Sequence, residues 1–279
     1  MNRQLAAQEF VLTDSEFDRL RAVVRQHTGI ALSEAKRELV YGRLARRLRK
    51  LKLTSFADYC TLVEGQTGEL QELINAITTN LTSFFREDYH FAHLASEVLP
   101  ELERQRADSQ RIRIWSAGCS SGEEPYSLAV VLNETLAHLS HWDIKLLATD
   151  IDSQMISAAE EGVYGTDRLK GLAPDRLARW FPQATDKADC RAASAELKRL
   201  ITFKRLNLMD SWPMKGPFDI IFCRNVIIYF DKDTQHELLD RMADLQRPGS
   251  WLFVGHSENL FNVTHRYKLV GRTTYRRVA

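Results

Sequence analysis

Apolar and polar positions follow a strand–loop–helix order near the middle of the chain. Residues 112–115 form a short segment, apolar except for Arg113, that predicts a buried strand. A loop of small residues follows, with glycines at positions 118 and 122, and Glu124-Pro125 then begins an apolar-periodic run that predicts a helix. This order is typical of the first unit of a nucleotide-binding α/β sheet, whose ligand lies at the carboxyl end of the strand.

Further apolar segments predict other strands of the same sheet. A second strand covers residues 144–149 and ends in Asp150. Residues 218–223 form an almost continuous apolar run, which is typical of a central parallel strand buried on both faces. Residues 251–254 and 267–277 predict the last strands. The pattern favours an α/β fold with a doubly wound, Rossmann-like sheet.

Residues 13 to about 90 have a helical period instead. Thr13-Asp14-Ser15-Glu16 predicts a capping box before the first helix, and Ser33 is expected to cap a second helix over residues 34–52. A polar stretch, 103–110, separates these helices from the sheet. We therefore expect a helical domain over residues 1–90, a linker helix over 91–110 and an α/β domain over 111–279.

The composition is that of an ordinary globular protein. Of 279 residues, 44% are hydrophobic and 27% are charged, and no apolar run approaches the roughly 20 residues of a membrane span. The first residues lack the apolar core of a signal peptide. The four cysteines lie far apart, which indicates neither a disulfide framework nor a zinc site. His90 and His93 are expected on the surface because no third ligand accompanies them. We expect a cytoplasmic protein with no metal.

The charge is unevenly distributed. The net charge is +1, yet residues 33–53 contain eight basic and two acidic side chains. The helical period places a basic stripe opposite the apolar face, and the candidate docking residues on it are Arg43, Arg46, Arg47 and Lys50. One interpretation is a solvated helix face. The scarcity of acids and the dominance of arginine favour an acidic partner, and the few aromatic residues count against nucleic acid.

The predicted ligand loop has a chemistry of its own. It contains Glu123 and Glu124 but no lysine, unlike a loop that cradles phosphates. Asp150 ends the second strand, where an acidic residue can accept hydrogen bonds from ribose hydroxyls. Together these residues favour a nucleoside ligand without a phosphate chain, and S-adenosylmethionine fits best.

Five short blocks then occur in order along the chain. They are NLTSFFR (80–86), GEEPYS (122–127), ATDID (148–152), FCRNVIIYF (222–230) and GHSEN (255–259). These blocks resemble the signature blocks of the chemotaxis receptor methyltransferases, the CheR family. The resemblance runs from about residue 10 to the end of the sequence.

The resemblance implies a fold and an activity. The fold would be a class I S-adenosylmethionine-dependent methyltransferase with an N-terminal all-α domain, a small insertion at about 182–199 and an antiparallel final strand. The activity would be methyl transfer to glutamate side chains of chemoreceptors, which gives γ-methyl esters and S-adenosylhomocysteine.

The resemblance also implies roles for particular residues. The cofactor-binding candidates are Asn80, Thr82, Arg86, Gly118, Glu123, Asp150, Asn207, Leu208, Arg224 and Asn225. Arg86 and Tyr229 would frame the methyl group. Without the resemblance, Asn80 or Thr82 could be a helix cap, Arg86 a surface base and Tyr229 a buried structural tyrosine.

The implied partner is the cytoplasmic helical bundle of transmembrane chemoreceptors, contacted by the N-terminal domain of a monomer. Family members that bind a receptor tail peptide have glycines in the insertion, and this chain has none between Gly171 and Gly216. We therefore expect no dependence on a tail peptide.

Three alternative functions share some of these sequence features. A related methyltransferase could act on another acceptor, such as nucleic acid or a small molecule, or the chain could be a non-catalytic S-adenosylmethionine-binding signalling adaptor. His256-Ser257-Glu258 resembles a hydrolase triad, but adjacent loop residues cannot align a base with a nucleophile.

Overall fold

A computed structural model describes the protein over residues 9–139, 141–184 and 187–278, which divide into two units. The first unit contains the described residues up to Thr79 together with the short segment Tyr229–Asp231. The second contains Asn80–Ile228 together with the chain from Lys232 onward. Over these described ranges, we find no helix that is both long and apolar enough to cross a membrane.

The helices of the first unit pack their apolar faces into one core. They are α1 (Asp14–Thr28), α2 (Arg37–Leu51), α3 (Phe56–Gly65) and α4 (Thr67–Ile77). The predicted capping box is present, since Thr13 Oγ1 accepts from the Glu16 N–H and the Glu16 carboxylate accepts from the Thr13 N–H. The second predicted helix begins as a 3-10 turn, Glu34–Lys36, and continues as α2. Phe17 and Leu44 are fully buried in this core.

Two arginines of α2 bind partners inside the helical unit. The Arg47 guanidinium lies 2.6 Å from the Glu69 carboxylate and 3.0 Å from the Glu72 carboxylate, both on α4. Arg43 donates to the carbonyl oxygens of residues 76–78, where α4 ends. These contacts hold α2 against α4.

The basic face of α2 is therefore narrower than the sequence predicts. Arg46 and Lys50 are exposed, whereas Arg43 and Arg47 are half-buried. The expected water-facing stripe of all four side chains is wrong for Arg43 and Arg47. The helical period distinguishes polar from apolar faces, but it does not show that an acidic helix packs beside the polar face.

The second unit is organised around a seven-stranded mixed sheet with the order β5-β2-β1-β6-β7-β9-β8. Its strands are β1 (Arg111–Ala117), β2 (Asp143–Asp150), β5 (Ile201–Arg205), β6 (Phe218–Cys223), β7 (Gln246–Val254), β8 (Tyr267–Gly271) and β9 (Thr274–Arg277), and a separate two-stranded sheet pairs β3 (Val163–Gly165) with β4 (Cys190–Ala192). The strands from β5 to β7 in the sheet order are parallel. The strand order reverses between β1 and β6, where an open α/β sheet forms its ligand crevice.

The end of the chain differs from the prediction. Residues 267–277 form a hairpin, β8 and β9, rather than one strand. β9 pairs antiparallel with β7, and β8 forms the sheet edge. The turn between them contains Thr273 with a left-handed φ of 46°, which the alternating pattern of the sequence did not indicate.

Helices cover both faces of the sheet. They are α5 (Tyr89–His93), α6 (Leu99–Gln105), α7 (Glu123–Thr135), α8 (Ser153–Glu161), α9 (Pro174–Trp180), α10 (Ala195–Leu200) and α11 (Lys232–Asp244). A π-helical turn, Leu94–Val98, joins α5 to α6. The expectation that His90 and His93 are surface residues is wrong: His90 is fully buried against Phe253, and His93 packs on Trp251.

Candidate active site

Loops that follow β1, β2 and β6 meet at the carboxyl edge of the sheet. Gly118, directly after β1, has a φ of 85°, and a Cβ atom there would lie 2.3 Å from a methyl group of Val226. The N–H groups of Gly118 and Cys119 both donate to the carbonyl oxygen of Thr149 in β2. Glycine at position 118 therefore allows three strand ends to approach one another.

Asp150 ends β2 with its carboxylate directed into these loops. The carboxylate accepts from the Ser120 N–H at 2.8 Å and from the Asp152 N–H at 2.9 Å. Burial raises the pKa of Asp150 to about 6, although both hydrogen bonds lower it. Asp150 is 8% exposed, so this carboxylate is largely removed from water, yet with a pKa of about 6 it is mostly ionised at neutral pH.

Asn80 joins the same two loops from a distant part of the chain. Its side-chain amide donates to the Asp152 carboxylate at 2.7 Å, and its carbonyl accepts from Ser120 Oγ at 2.9 Å. The structure thus brings Asn80 together with Asp150, as candidate residues of one site. Thr82, two residues further along, is half-buried.

Glu123 begins α7 after Gly122, which has a φ of 97°. Its carboxylate is fully buried, accepts from Ser121 Oγ at 2.8 Å and is ion-paired with Arg168. Tyr164 donates its hydroxyl to the Ser121 carbonyl at 2.7 Å. Arg168 and Tyr164 were not predicted, because nothing in their local sequence indicates a contact with the loop of residues 118–122, which we call the glycine loop.

Asn225 is held in a left-handed conformation, with a φ of 59°, by a residue that sequence reasoning missed. The Glu258 carboxylate accepts backbone N–H groups of Asn225, Val226, Ile228 and Gly255 at 2.5–3.1 Å. Burial raises the pKa of Glu258, and these four hydrogen bonds oppose that effect. Glu258 therefore shapes the loop after β6.

Arg224, directly after β6, is buried among acidic side chains. Its side chain is 2% exposed and is ion-paired with Glu124 at 2.9 Å and with Glu87 at 3.2 Å. It also donates to the carbonyl oxygen of Arg86. The guanidinium is thus enclosed by protein groups, and the assignment of Arg224 to the cofactor-binding set stays a prediction.

Arg86 and the residues after β5 lie in the same unit. Arg86 donates to the Leu81 carbonyl at 2.9 Å, and its side chain is 31% exposed. Asn207 accepts from the Met209 N–H at 3.1 Å, and Leu208 is buried. The structure places Asn207 and Leu208 just beyond the carboxyl end of β5.

Tyr229 belongs to the helical unit. Its carbonyl oxygen accepts from the Ala31 N–H at 2.9 Å, and Lys36 Nζ lies 5.0 Å from the centre of its ring. In the same segment, Asp231 is ion-paired with Arg25 at 2.5 Å. The segment Tyr229–Asp231 thus contacts α1, the loop that follows α1 and the 3-10 turn that precedes α2.

The chemistry of the site fits a nucleoside cofactor. A desolvated carboxylate, Asp150, ends one strand, and left-handed glycines at 118 and 122 shape the loop beside it. Asn225 adds a polar side chain after β6. The sheet order and this set of groups define a class I S-adenosylmethionine-dependent methyltransferase.

Comparison with known proteins identifies the family. Residues 15–78 match the CheR methyltransferase all-alpha domain, and residues 80–276 match the CheR methyltransferase SAM binding domain. The chain belongs to the CheR methyltransferase family and uses S-adenosylmethionine.

Several relatives match over nearly the whole chain. Chemotaxis protein methyltransferase 2 of Pseudomonas aeruginosa is 44% identical over 96% of this chain and 95% of that protein. The chemotaxis protein methyltransferase of Escherichia coli is 42% identical over 96% of this chain and 92% of that protein. A solved S-adenosylhomocysteine complex of DhpI is 16% identical, covers 68% of this chain and 76% of that chain, and has a TM-score of 0.32, so it carries no part of the assignment.

Proposed function

We propose that this protein acts in chemotaxis by methylating glutamate side chains of chemoreceptors, which gives γ-methyl esters. The observation that carries the proposal is the match of both family domains together with relatives named chemotaxis protein methyltransferases. The glycine loop, Asp150 and Asn80 support it, because they assemble at the carboxyl edge of the sheet.

The chemistry requires little proton transfer from the protein. Bound S-adenosylmethionine supplies a methyl group on a sulfonium, which is an activated donor. A free glutamate has a pKa of about 4.3, so the acceptor is already ionised at neutral pH and needs no general base. A glutamate oxygen forms the new bond to the methyl carbon while the sulfur keeps the electron pair of the broken bond. Alignment of the two partners and removal of water contribute roughly 7–11 kcal/mol in such reactions.

The proposal gives each candidate side chain a role in binding the cofactor. Asp150 accepts hydrogen bonds from the ribose hydroxyls, and Asn207, Leu208 and Asn225 surround the adenosine. Asn80, Thr82, Gly118, Glu123 and Arg224 complete the proposed cofactor-binding set. The Glu123 carboxylate, which is held by Ser121 and Arg168, provides negative charge near the methionyl amino group.

Arg86 and Tyr229 are proposed to act at the reacting groups. Arg86 pairs with a carboxylate, either that of the methionyl group or that of the acceptor glutamate. Because the sulfonium and the acceptor carboxylate neutralise each other as they react, Arg86 serves in binding and charge balance. Tyr229 is the second candidate residue for contact with the methyl group.

Receptor docking is assigned to the exposed bases of α2. Arg46 and Lys50 are exposed, whereas Arg43 and Arg47 bind carbonyl and carboxylate groups of the helical unit. We therefore limit the proposed docking surface to Arg46 and Lys50. It would bind acidic side chains on the receptor's helical bundle.

The experiment is methyl transfer from labelled S-adenosylmethionine to membranes that carry chemoreceptors, followed by mild alkali. We expect label on the receptor that alkali releases as volatile methanol, because carboxyl esters are labile to base. Alkali-stable label would indicate a nitrogen or other acceptor. Cofactor binding without transfer would favour a signalling adaptor. Either result would overturn the proposal.

A further inference from the structure

The backbone around Arg86 is strained. Phe85, with a φ of 52°, and Glu87, with a φ of 56°, are both in the left-handed region. Residues other than glycine rarely adopt this backbone conformation, and they keep it only where surrounding contacts hold them. Arg86 lies between two such residues, so the direction of its side chain depends on the contacts that hold this segment.

The Glu87 carboxylate makes several of the contacts that fix the segment from Phe85 to Glu87. Oε2 accepts from the His256 N–H at 3.1 Å and from the Tyr89 hydroxyl at 3.3 Å, and His256 Nδ1 lies 2.9 Å from Oε1. The side chain is 9% exposed. Burial alone would raise the pKa of Glu87, but the His256 hydrogen bonds and the Arg224 charge lower it to about 2, so the group is an anion at neutral pH.

Arg224 connects this carboxylate to the backbone of Arg86. Its guanidinium lies 3.2 Å from Glu87 Oε2 and also donates to the Arg86 carbonyl. On its other side it is paired with Glu124 at 2.9 Å. The carbonyl of Arg86 is therefore fixed by a guanidinium that the Glu87 carboxylate helps to orient.

We propose that Glu87 is a positioning residue for Arg86: its buried carboxylate, held by His256 and Arg224, keeps the strained segment in the conformation that directs the Arg86 guanidinium. This inference rests on the proposed role of Arg86 in binding a carboxylate. Glu87 itself has no contact with the reacting groups in this scheme.

A double-mutant cycle tests the proposal. Glu87→Gln keeps the size of the side chain and removes its charge, and Arg86→Met removes the guanidinium. We expect each single variant to lower kcat/KM for methyl transfer on the order of 100-fold, because small displacements of a positioned group have effects of this size. The double variant should be little worse than either single variant, because both changes remove the same function.

A matched control separates positioning from general stability. Asp219 is another buried acid of the same unit, 4% exposed, and it accepts from Arg106 at 2.7 Å and from the Arg113 N–H at 2.8 Å. We expect Asp219→Asn to lower the melting temperature as Glu87→Gln does. Its effect on transfer should multiply with that of Arg86→Met, since the two residues act independently.

The cycle is measured in two quantities, kcat/KM and the Kd of S-adenosylhomocysteine. Non-multiplicative effects of Glu87→Gln and Arg86→Met in either quantity support the proposal, and multiplicative effects in both overturn it. If the wild-type protein formed no alkali-labile ester, the proposed function would fail, and the Kd cycle alone would decide the role of Glu87.

A milder variant covers the case in which Glu87→Gln does not fold. The His256 side chain is 64% exposed, so His256→Ala removes one contact to Glu87 without opening the core. We expect a smaller loss of kcat/KM, about threefold to tenfold, which is the effect of one ordinary hydrogen bond, because the His256 side chain is largely exposed to water. In the Arg86→Met background, His256→Ala should cause no further loss of kcat/KM. A further loss of about threefold to tenfold in that background would contradict the proposal.

Discussion

The two units of this protein place their charged side chains differently. In the α/β unit, charges near the carboxyl edge are buried and fix loops: the Glu258 carboxylate accepts four backbone N–H groups, and Arg224 is ion-paired with two acids. In the helical unit, α2 divides its charges. Arg47 holds α2 against α4, while Arg46 remains exposed. Buried charges therefore fix the loops of the site in the α/β unit, whereas the helical unit leaves on α2 the exposed charges for which we propose a docking role.

The largest expected effect comes from breaking the ion pair inside the helical unit. Glu69→Gln leaves the Arg47 guanidinium with less charge compensation in a half-buried position. Since Glu69 is 6% exposed, we expect a loss of about 3 kcal/mol in the free energy of unfolding of the helical unit, as for other broken buried pairs. Urea unfolding measures it. In the control, Arg46→Gln with Lys50→Gln should change the same quantity by less than about 0.5 kcal/mol. Equal losses in the two variants would contradict the claim that Arg47 stabilises the helical unit and that Arg46 and Lys50 do not.

The next effect is a loss of stability of the α/β unit at acid pH. Burial lowers the pKa of His90 to about 4, against about 6.5 for a free histidine. Below pH 6.5 the unfolded chain binds a proton at His90 that the folded protein does not, so stability falls as the pH falls from 6.5 to 4. The loss reaches about 3 kcal/mol.

Asp150 responds to pH with the opposite sign, so the difference between the wild type and a variant isolates His90. The raised pKa of Asp150 makes the folded protein bind its proton more tightly, which stabilises the fold as the pH falls through 6. We expect His90→Gln to flatten the fall of unfolding free energy between pH 6.5 and 4.5. An unchanged slope would show that His90 does not titrate as a buried neutral group.

Cofactor affinity should also depend on pH through Asp150. If ribose hydroxyls donate to the ionised carboxylate, as proposed, binding should weaken as the pH falls through about 6. We expect the Kd of S-adenosylhomocysteine to rise about tenfold for each pH unit below that point. Asp150→Asn should bind more weakly at pH 8 and lose this dependence. A retained dependence would assign the titration to another group.

The smallest effect concerns the exposed face of α2. Arg46→Glu with Lys50→Glu should lower kcat/KM for receptor methylation by about tenfold, and added salt should narrow the difference from the wild type. The Kd of S-adenosylhomocysteine should not change. As a charge-matched control, Lys204→Glu with Lys215→Glu alters exposed bases of the α/β unit. Equal losses in both double variants would show a general charge effect instead of a docking surface.

Much of the fold could be predicted from the sequence because local patterns determine it. The capping box at Thr13, the buried strand β6 and the acid at the end of β2 each depend on neighbouring residues, and all three are present. The hairpin of β8 and β9 was missed because its turn needs a left-handed Thr273, which has no sequence signature.

The interior of the site could not be predicted in the same way. Glu258 binds N–H groups about 30 residues away, and Glu87 contacts His256 across 169 residues. Such partners are determined by the packing of the sheet and not by local spacing. His90 was misplaced for the same reason, because Phe253 covers it from β7. Arg47 was assigned to the docking surface because α4, which neutralises it, lies 22 residues further along the chain.

The identity of the methylated side chain tests the central claim most directly. Purified protein, S-adenosylmethionine and receptor-bearing membranes would be incubated, and receptor peptides would then be sequenced by tandem mass spectrometry. We predict a mass increase of one methylene on glutamate side chains, present in the wild-type reaction and lost in Asp150→Asn. A methyl group on lysine, arginine or a nucleic acid, with glutamate unmodified, would contradict the account.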